Sequence, residues 1–310
     1  EEQELLSYIY IHEDWQSDFH QKIFMNNYSI IHYDCHPRTI VLNVGVWNCG
    51  KTSLVMGLSQ VHLENYNIRW ENDFETNAKH YMSKGLYPLH NAPIYSTYIA
   101  HIQGKKKDAY LQFVDCDFNK LGRQFVEWSE RDILDSETLE IFENKDSKII
   151  NILIDPVSQI YYSLKGQPYL LTQEAVLECI LHALNEFELW KRVRKINVIF
   201  TKCDKLISEK FVSPQILVDN SNGYHFDCSL IEDTVWEKYI GFFNDICDVC
   251  KKWNIKSELF YFSIGTPVLY DRYEYNDNYA KVIMHSIIAD IPFSNNGIKG
   301  KSLLFKLKSQ

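Results

Sequence analysis

The sequence predicts an α/β fold: a three-layer sandwich built on a mostly parallel sheet with one antiparallel edge strand. Three observations predict it. Short, continuous, β-branched runs at Thr39–Gly45, Ile149–Ile154 and Ile196–Phe200 read as strands buried on both faces. Helical patterns alternate with these runs, as in βαβ units, which place helices on both faces of a parallel sheet. Ile94–Gln103 and Ala109–Val114 flank the polar turn Gly104-Lys105-Lys106-Lys107-Asp108 and read as an antiparallel hairpin.

Residues 1–37 are acidic at the start, weakly periodic, and read as an N-terminal extension. After Thr39–Gly45 a helix is expected from Lys51 to about Ser59, then a long excursion over 61–93 with a helix around Asp73–Ser83. The hairpin follows. Residues 116–148 are polar and helix-prone, and Asp155-Pro156 ends the strand Ile149–Ile154. Val176, Ile180, Leu184, Phe187 and Trp190 give Gln173–Lys195 the apolar stripe of an amphipathic helix. A further helix is expected over Thr234–Trp253, a strand at Leu259–Phe262, and a last helix near Tyr279–Ala289. The expected organisation is one domain over 38–292, with insertions near 61–93 and 207–233, and a C-terminal tail over 293–310.

Composition narrows the function. The 310 residues are 45% apolar and 24% charged, ordinary for a soluble globular protein. A net charge of -9 repels phosphate backbones, so general nucleic-acid binding is disfavoured and any anionic ligand needs a local device. The eight cysteines, without a signal peptide, read as reduced thiols of a cytoplasmic protein. No apolar run approaches the ~20 residues of a membrane-spanning helix.

The local device is Gly45-Val46-Trp47-Asn48-Cys49-Gly50-Lys51-Thr52-Ser53, which fits G-x-x-x-x-G-K-[ST] between a buried strand and a helix. Backbone N–H groups of such a loop wrap phosphates, and the helix N-terminus adds positive potential. Lys51 is expected to reach the β/γ-phosphates and the Thr52 hydroxyl to ligate Mg²⁺. A second motif, Thr201-Lys202-Cys203-Asp204, ends the strand Ile196–Phe200 and resembles the [NT]KxD base-reading element of GTPases. There the aspartate accepts from the N1 and N2 donors of guanine, and a buried carboxylate rejects adenine because it would stay unpaired. Asp115 ends the run Tyr110–Val114, matching the strand-then-Asp arrangement that orders Mg²⁺ through a water. Ser263-Ile264-Gly265 follows Leu259–Phe262, where GTPases place residues contacting the guanine O6. All four lie just past expected strand ends, where open α/β sheets bind ligands.

These motifs, over residues 39 to about 290, resemble a P-loop GTPase of the Ras-like class. The resemblance implies a P-loop NTPase sandwich, Mg²⁺ as cofactor and GTP or GDP as ligand. Gly85-Leu86-Tyr87-Pro88 and Leu153-Ile154-Asp155-Pro156 are also similar to the double-GTPase group of bacterial conflict and signalling systems. The implied function is a Mg²⁺-dependent guanine-nucleotide switch. Segments near 85–97 and 116–131 would be ordered by the γ-phosphate and read by a protein partner or adjoining domain.

The departures bear on mechanism. The third motif of the class is D-x-x-G followed by Gln or Glu, whereas Asp115-Cys116-Asp117-Phe118-Asn119-Lys120 has neither. Trp47 and Asn48 fill positions that are often small. Hydrolysis is therefore expected to be slow, partner-dependent or absent, the last being a GTP-binding scaffold. Gln124, Glu127 and Glu130 are candidates for positioning water, and Thr97 for sensing Mg²⁺, although Thr97 falls inside an expected strand. An ATP-using P-loop enzyme is the more distant alternative.

Other features read as structural. Cys247 and Cys250 continue a stripe with Trp236, Ile240 and Phe243, as core cysteines rather than a zinc pair. Cys49 lies at a helix N-terminus, where a thiol pKa can fall, but a passive loop residue is the favoured reading. The insertion Phe211–Asp233 reads equally as a partner-contact loop or an inert one.

Overall fold

Short apolar strands separated by amphipathic helices assemble into one mixed sheet with helices on both faces. The computed structural model describes residues 37–46, 49–84, 95–105, 107–117, 136–155, 160–164, 167–171, 173–186, 188–202, 217–220, 223–226, 233–269 and 272–295. In chain order the elements are β1 (Arg38–Gly45), α1 (Lys51–Ser59), β2 (Asn67–Trp70), α2 (Phe74–Met82), β3 (Tyr95–Gly104) and β4 (Lys107–Asp117). Then come α3 (Ser136–Glu143), β5 (Ser147–Ile154), β6 (Ile160–Leu164), β7 (Gln167–Leu171), α4 (Gln173–Glu186) and β8 (Val193–Phe200). The remainder is β9 (Leu217–Asn220), β10 (Gly223–Phe226), α5 (Asp233–Trp253), β11 (Lys256–Tyr261), β12 (Gly265–Leu269), β13 (Arg272–Tyr275), α6 (Asn278–Ala289) and β14 (Ser294–Asn295).

The sheet order is β11-β8-β5-β1-β4-β3-β2, with β14 paired to the start of β4. Strands β11, β8, β5, β1 and β4 are mutually parallel. The chain leaves β1 towards β4 on one side, then crosses to β5 on the other. That reversal opens a crevice beyond the carboxyl ends of β1, β4 and β5, the usual ligand position in such sheets.

One face of the sheet carries α1, α2 and α6. Gln60 of the α1 C-cap donates to the Glu75 carbonyl of α2 at 3.0 Å, and Lys195 of β8 reaches Asp290 just past α6 at 2.9 Å. The other face carries α5, whose Tyr239 packs edge-on against Phe200 of β8 at 5.6 Å between ring centroids. Residues of opposite parity in one strand, such as Val41 and Leu42, are therefore both fully buried. This is why these strands read as continuous apolar runs rather than as alternating ones.

Four expectations need correction. The antiparallel strand β3 is not the edge, because β2, in the segment expected as an insertion, pairs antiparallel outside it from Asn67↔Gln103 to Trp70↔Ala100. Helix α4 stops at Glu186 rather than Lys195. Glu188 turns left-handed at φ 51°, a 3-10 turn buries Leu189 and Trp190, and Val193 already belongs to β8. The buried stripe of α5 runs through Tyr239, Phe242, Ile246, Val249 and Cys250, leaving Ile240 54% exposed and Cys247 outside it. Finally, hairpins β6–β7, β9–β10 and β12–β13 occupy stretches in which no strands were expected. The β9–β10 hairpin, in which Asn220 pairs with Gly223, lies inside the insertion read as a loop. Ser294 and Asn295, in the expected tail, pair with Asp108 and Lys107.

No helix among the described residues is long and apolar enough to cross a membrane.

Candidate functional site at the carboxyl ends of the parallel strands

Strand β1 ends at Gly45, where the loop begins, and a side chain there has no room. A Cβ on Gly45 would lie 2.6 Å from Cys49 Sγ and 2.7 Å from the Leu153 carbonyl of β5. Gly50 takes φ 93°, a left-handed conformation that glycine adopts without steric cost, and starts α1 through a 2.9 Å bond from Leu54 N to its carbonyl. Both glycines of the motif are thus required by backbone geometry. Lys51 folds back over the loop, its Nζ donating to the Gly45 carbonyl at 3.0 Å and the Val46 carbonyl at 2.9 Å. No carboxylate forms an ion pair with it among the described residues. Cys49 is fully buried, and burial pushes its thiol up, which fits the passive reading and not a reactive one. Ser53 is half-buried in the first turn of α1.

Opposite the loop, Asp115 lies inside β4, which continues to Asp117 instead of ending at Val114. Its carboxylate accepts from Thr52 Oγ1 at 3.2 Å and from Asn43 Nδ2 at 2.8 Å. Burial is the leading influence and pushes its carboxyl up to about 6, against the opposing effects of Asn43, Lys51 and Thr52. A carboxylate so placed is short of positive charge.

Behind Asp115 runs a polar ladder. In parallel register Asp115 faces Asn43, Asn43 faces Asn151, and Asn151 faces Asn197. Asn197 donates to Asn151 Oδ1, Asn151 to Asn43 Oδ1, and Asn43 to Asp115, each at 2.8 Å. The direction follows from the acceptor-only carboxylate, which obliges Asn43 to present its NH₂, and the constraint passes down the row. The last acceptor, Asn197 Oδ1, is buried without a partner among the described residues.

The neighbouring strand ends supply a second cluster. Thr201 N and Oγ1 donate to the Ile154 carbonyl at 2.8 and 3.1 Å, and the Thr201 side chain lies 3.6 Å from where a Gly50 Cβ would sit. Lys202, at φ 55°, gives its ammonium to the buried carboxylate of Asp155. Gln173 clamps the Asp155 backbone at both its N–H and its carbonyl, the former at 2.9 Å. Just beyond β11, Ser263 Oγ donates to the Gly265 carbonyl at 2.7 Å, and Ser263 and Ile264 are both buried.

Gly45, Cys49, Gly50, Lys51, Thr52 and Asp115 therefore converge, with Thr201 and Lys202 beside the loop and Ser263 and Ile264 farther along the same edge. Thr97 does not join them. It pairs with Val114 while Ser96 pairs with Asp115, so Thr97 belongs to the opposite face of the sheet. Trp47, Asn48, Asp204, Gln124, Glu127 and Glu130 lie outside the described residues, as does most of the segment near 85–97 and 116–131.

Sequence reasoning missed Asn43, Asn151 and Asn197, and gave Asp155 no role in the site. A signal existed: Leu42-Asn43-Val44, Ile150-Asn151-Ile152 and Ile196-Asn197-Val198 each place one amide inside an apolar strand. Asn151 and Asn197 each lie four residues before a strand-end motif residue, Asp155 and Thr201.

The donor set suits a hard cation. Thr52 and Asp115 offer oxygen ligands, and the raised carboxyl calls for positive charge nearby. No group of three or more His, Cys, Asp or Glu able to hold a metal occurs among the described residues. Mg²⁺ needs no such group, because it keeps waters and takes one or two carboxylates plus phosphate oxygens. No protein-family model matches this chain, and no curated protein sequence shows significant similarity to it.

Proposed function

We propose that the chain binds a guanine nucleotide with Mg²⁺ at the carboxyl ends of β1, β4, β5 and β8, as a Ras-like P-loop GTPase, and acts as a switch. One observation carries the reading: a glycine-constrained loop holds Lys51 and Thr52 against the undercompensated carboxylate of Asp115. Lys51, which among the described residues bonds loop carbonyls and the Cys49 sulfur, would supply positive charge to the β/γ-phosphates. Thr52 would hold Mg²⁺ directly and Asp115 would hold it through water, with Asn43 fixing the carboxylate. Held there, the cation would supply positive charge to neutralise the phosphates. Thr201 and Lys202 abut the loop where the base-reading strand ends, and Asp204 in the same motif would read guanine. Ser263 and Ile264 would border the base.

The absence of a glycine and a Gln or Glu after Asp115 favours slow or partner-dependent hydrolysis. It equally favours a second reading, in which bound GTP stabilises a scaffold without turnover. The narrower likeness to the double-GTPase group bears only on pathway. A cytoplasmic setting and a protein partner reading the switch segments belong to the same proposal.

Denaturing the purified chain and chromatographing what it releases, before and after incubation with GTP or ATP and Mg²⁺, tests both readings. GDP release with GTP consumed supports the switch, and retained intact GTP supports the scaffold. ATP selectivity, or no binding beyond that of Lys51→Ala, overturns the assignment.

A further inference from the structure

The opposite end of the sheet carries a second charged feature that the nucleotide reading does not use. The amino ends of β1, β5 and β8 meet the 3-10 turn Leu189–Arg192 around a cavity of about 620 Å³. Among the described residues five cationic side chains line it and one carboxylate, in a chain whose net charge is -9. That carboxylate, Asp146, is already taken by the buried Arg38, whose Nε donates to it at 2.7 Å. Lys191 pairs with Glu188 at 3.0 Å on the surface, a contact worth little. Lys145, Arg192 and Arg194 are exposed and make no ion pair with any described residue.

Three further facts point to an absent anion. The Ser147 hydroxyl, in the lining, is shielded from solvent and has no hydrogen-bond partner among the described residues. Lys148, directly behind it, is fully buried, and its ammonium is satisfied only by the carbonyls of Asn144 and Asp146, the latter at 3.0 Å. Burial holds that ammonium down to about 8 against the opposing pull of Asp146, and Arg192 and Arg38 add smaller repulsions in the same direction as burial. Guanidinium forks match phosphoryl oxygens in paired hydrogen bonds, and a cleft of this volume is the size of a small-molecule site.

We propose that this cleft is a binding site for a small polyanion bearing phosphoryl groups, separate from the nucleotide site and at the other end of the same strands. Arg192 and Arg194 clamp the anion, Lys145 closes one side, and Ser147 donates from the floor. A single carboxylate ligand would leave most of the cationic charge unanswered, which is why a polyanion is preferred.

The test uses the full chain carrying Lys51→Ala, which silences the loop at the other end whatever its role, and inorganic tripolyphosphate as probe in low-salt calorimetry. One probe is expected to bind per chain. Arg192→Glu with Arg194→Glu should weaken it about 100-fold, or about tenfold per guanidinium lost. Lys251→Glu with Lys252→Glu, exposed on α5, should change affinity less than about threefold. Should the charge reversals impair folding, Arg192→Gln with Arg194→Gln reads the same loss at about tenfold or more. Absence of binding, or equal weakening by the α5 pair, overturns the site.

Discussion

Two buried ions on the same face of the sheet, Asp115 in β4 and Lys195 in β8, are treated in opposite ways. Lys195 is fully enclosed, yet its ammonium meets Ser286 Oγ, Glu258 at 2.8 Å and Asp290 at 2.9 Å. Burial pushes Asp290 up, but hydrogen bonds from Lys256 and Lys195 outweigh it and hold the carboxyl below its ordinary range. Asp115 receives one amide, one hydroxyl and a nearby ammonium, and burial still wins. The first cluster is complete without help, so it fastens α6 to the sheet. In the second, burial outweighs the partners present, and the proposed cation would add positive charge beside Thr52. Asn197 Oδ1, orphaned at the far end of the ladder, is the structural cost of orienting a row of amides towards that carboxylate.

Removing a partner from the complete cluster should have the largest effect. Asp290→Leu leaves the Lys195 ammonium with Ser286 and the more exposed Glu258. It is expected to lower unfolding free energy by about 3 kcal/mol or more in urea titration. A loss below about 1 kcal/mol would mean that the cluster does not fasten α6.

Asp115→Asn should act in the opposite direction. A carboxyl raised from its ordinary value to about 6 stays protonated in the folded chain while the unfolded chain ionises. Between about pH 4 and 6 the unfolded state therefore binds fewer protons, and stability falls as pH rises, by up to about 3 kcal/mol in total. Asp115→Asn should remove that slope and stabilise the nucleotide-free protein at pH 7 by about 1–3 kcal/mol, while weakening Mg²⁺-dependent GTP binding. Parallel slopes in the two proteins would show that Asp115 is compensated after all.

The smallest effect is expected at the end of the ladder. Asn197→Leu removes one orphaned acceptor and creates another at Asn151 Oδ1, so thermal unfolding should register a change within about 1 kcal/mol. A loss of about 3 kcal/mol would mean that the amides act as one cooperative unit.

The geometry of the glycine-bounded loop was legible because its requirements are local. Gly45, Gly50, Lys51 and Thr52 sit at fixed spacings between a strand and a helix, and the left-handed φ of Gly50 follows from the residue itself. The strands β1, β5 and β8 were legible because burial on both faces demands continuous apolar runs. The α4 terminus was not, because Trp190 continues the helical spacing while its indole Nε1 bonds Asn185 Oδ1 at 2.8 Å across a 3-10 turn. The α5 stripe misled because Ile240 and Cys247 are apolar residues that the fold leaves outside.

The sequence by itself determined the alternation of strands and helices, the two loop glycines, and the placing of chemistry-bearing residues just past strand ends. Each of these depends on backbone sterics or on periodicity within one segment. Only the tertiary structure decided that Asp115, Asn43, Asn151 and Asn197 share one row, that Thr97 faces away from it, and that Arg38, Arg192 and Arg194 surround one cleft. Those facts depend on strand order and register, where a shift of one residue moves every side chain to the other face. No local spacing encodes that choice. It is made by the packing of helices on both faces of the sheet.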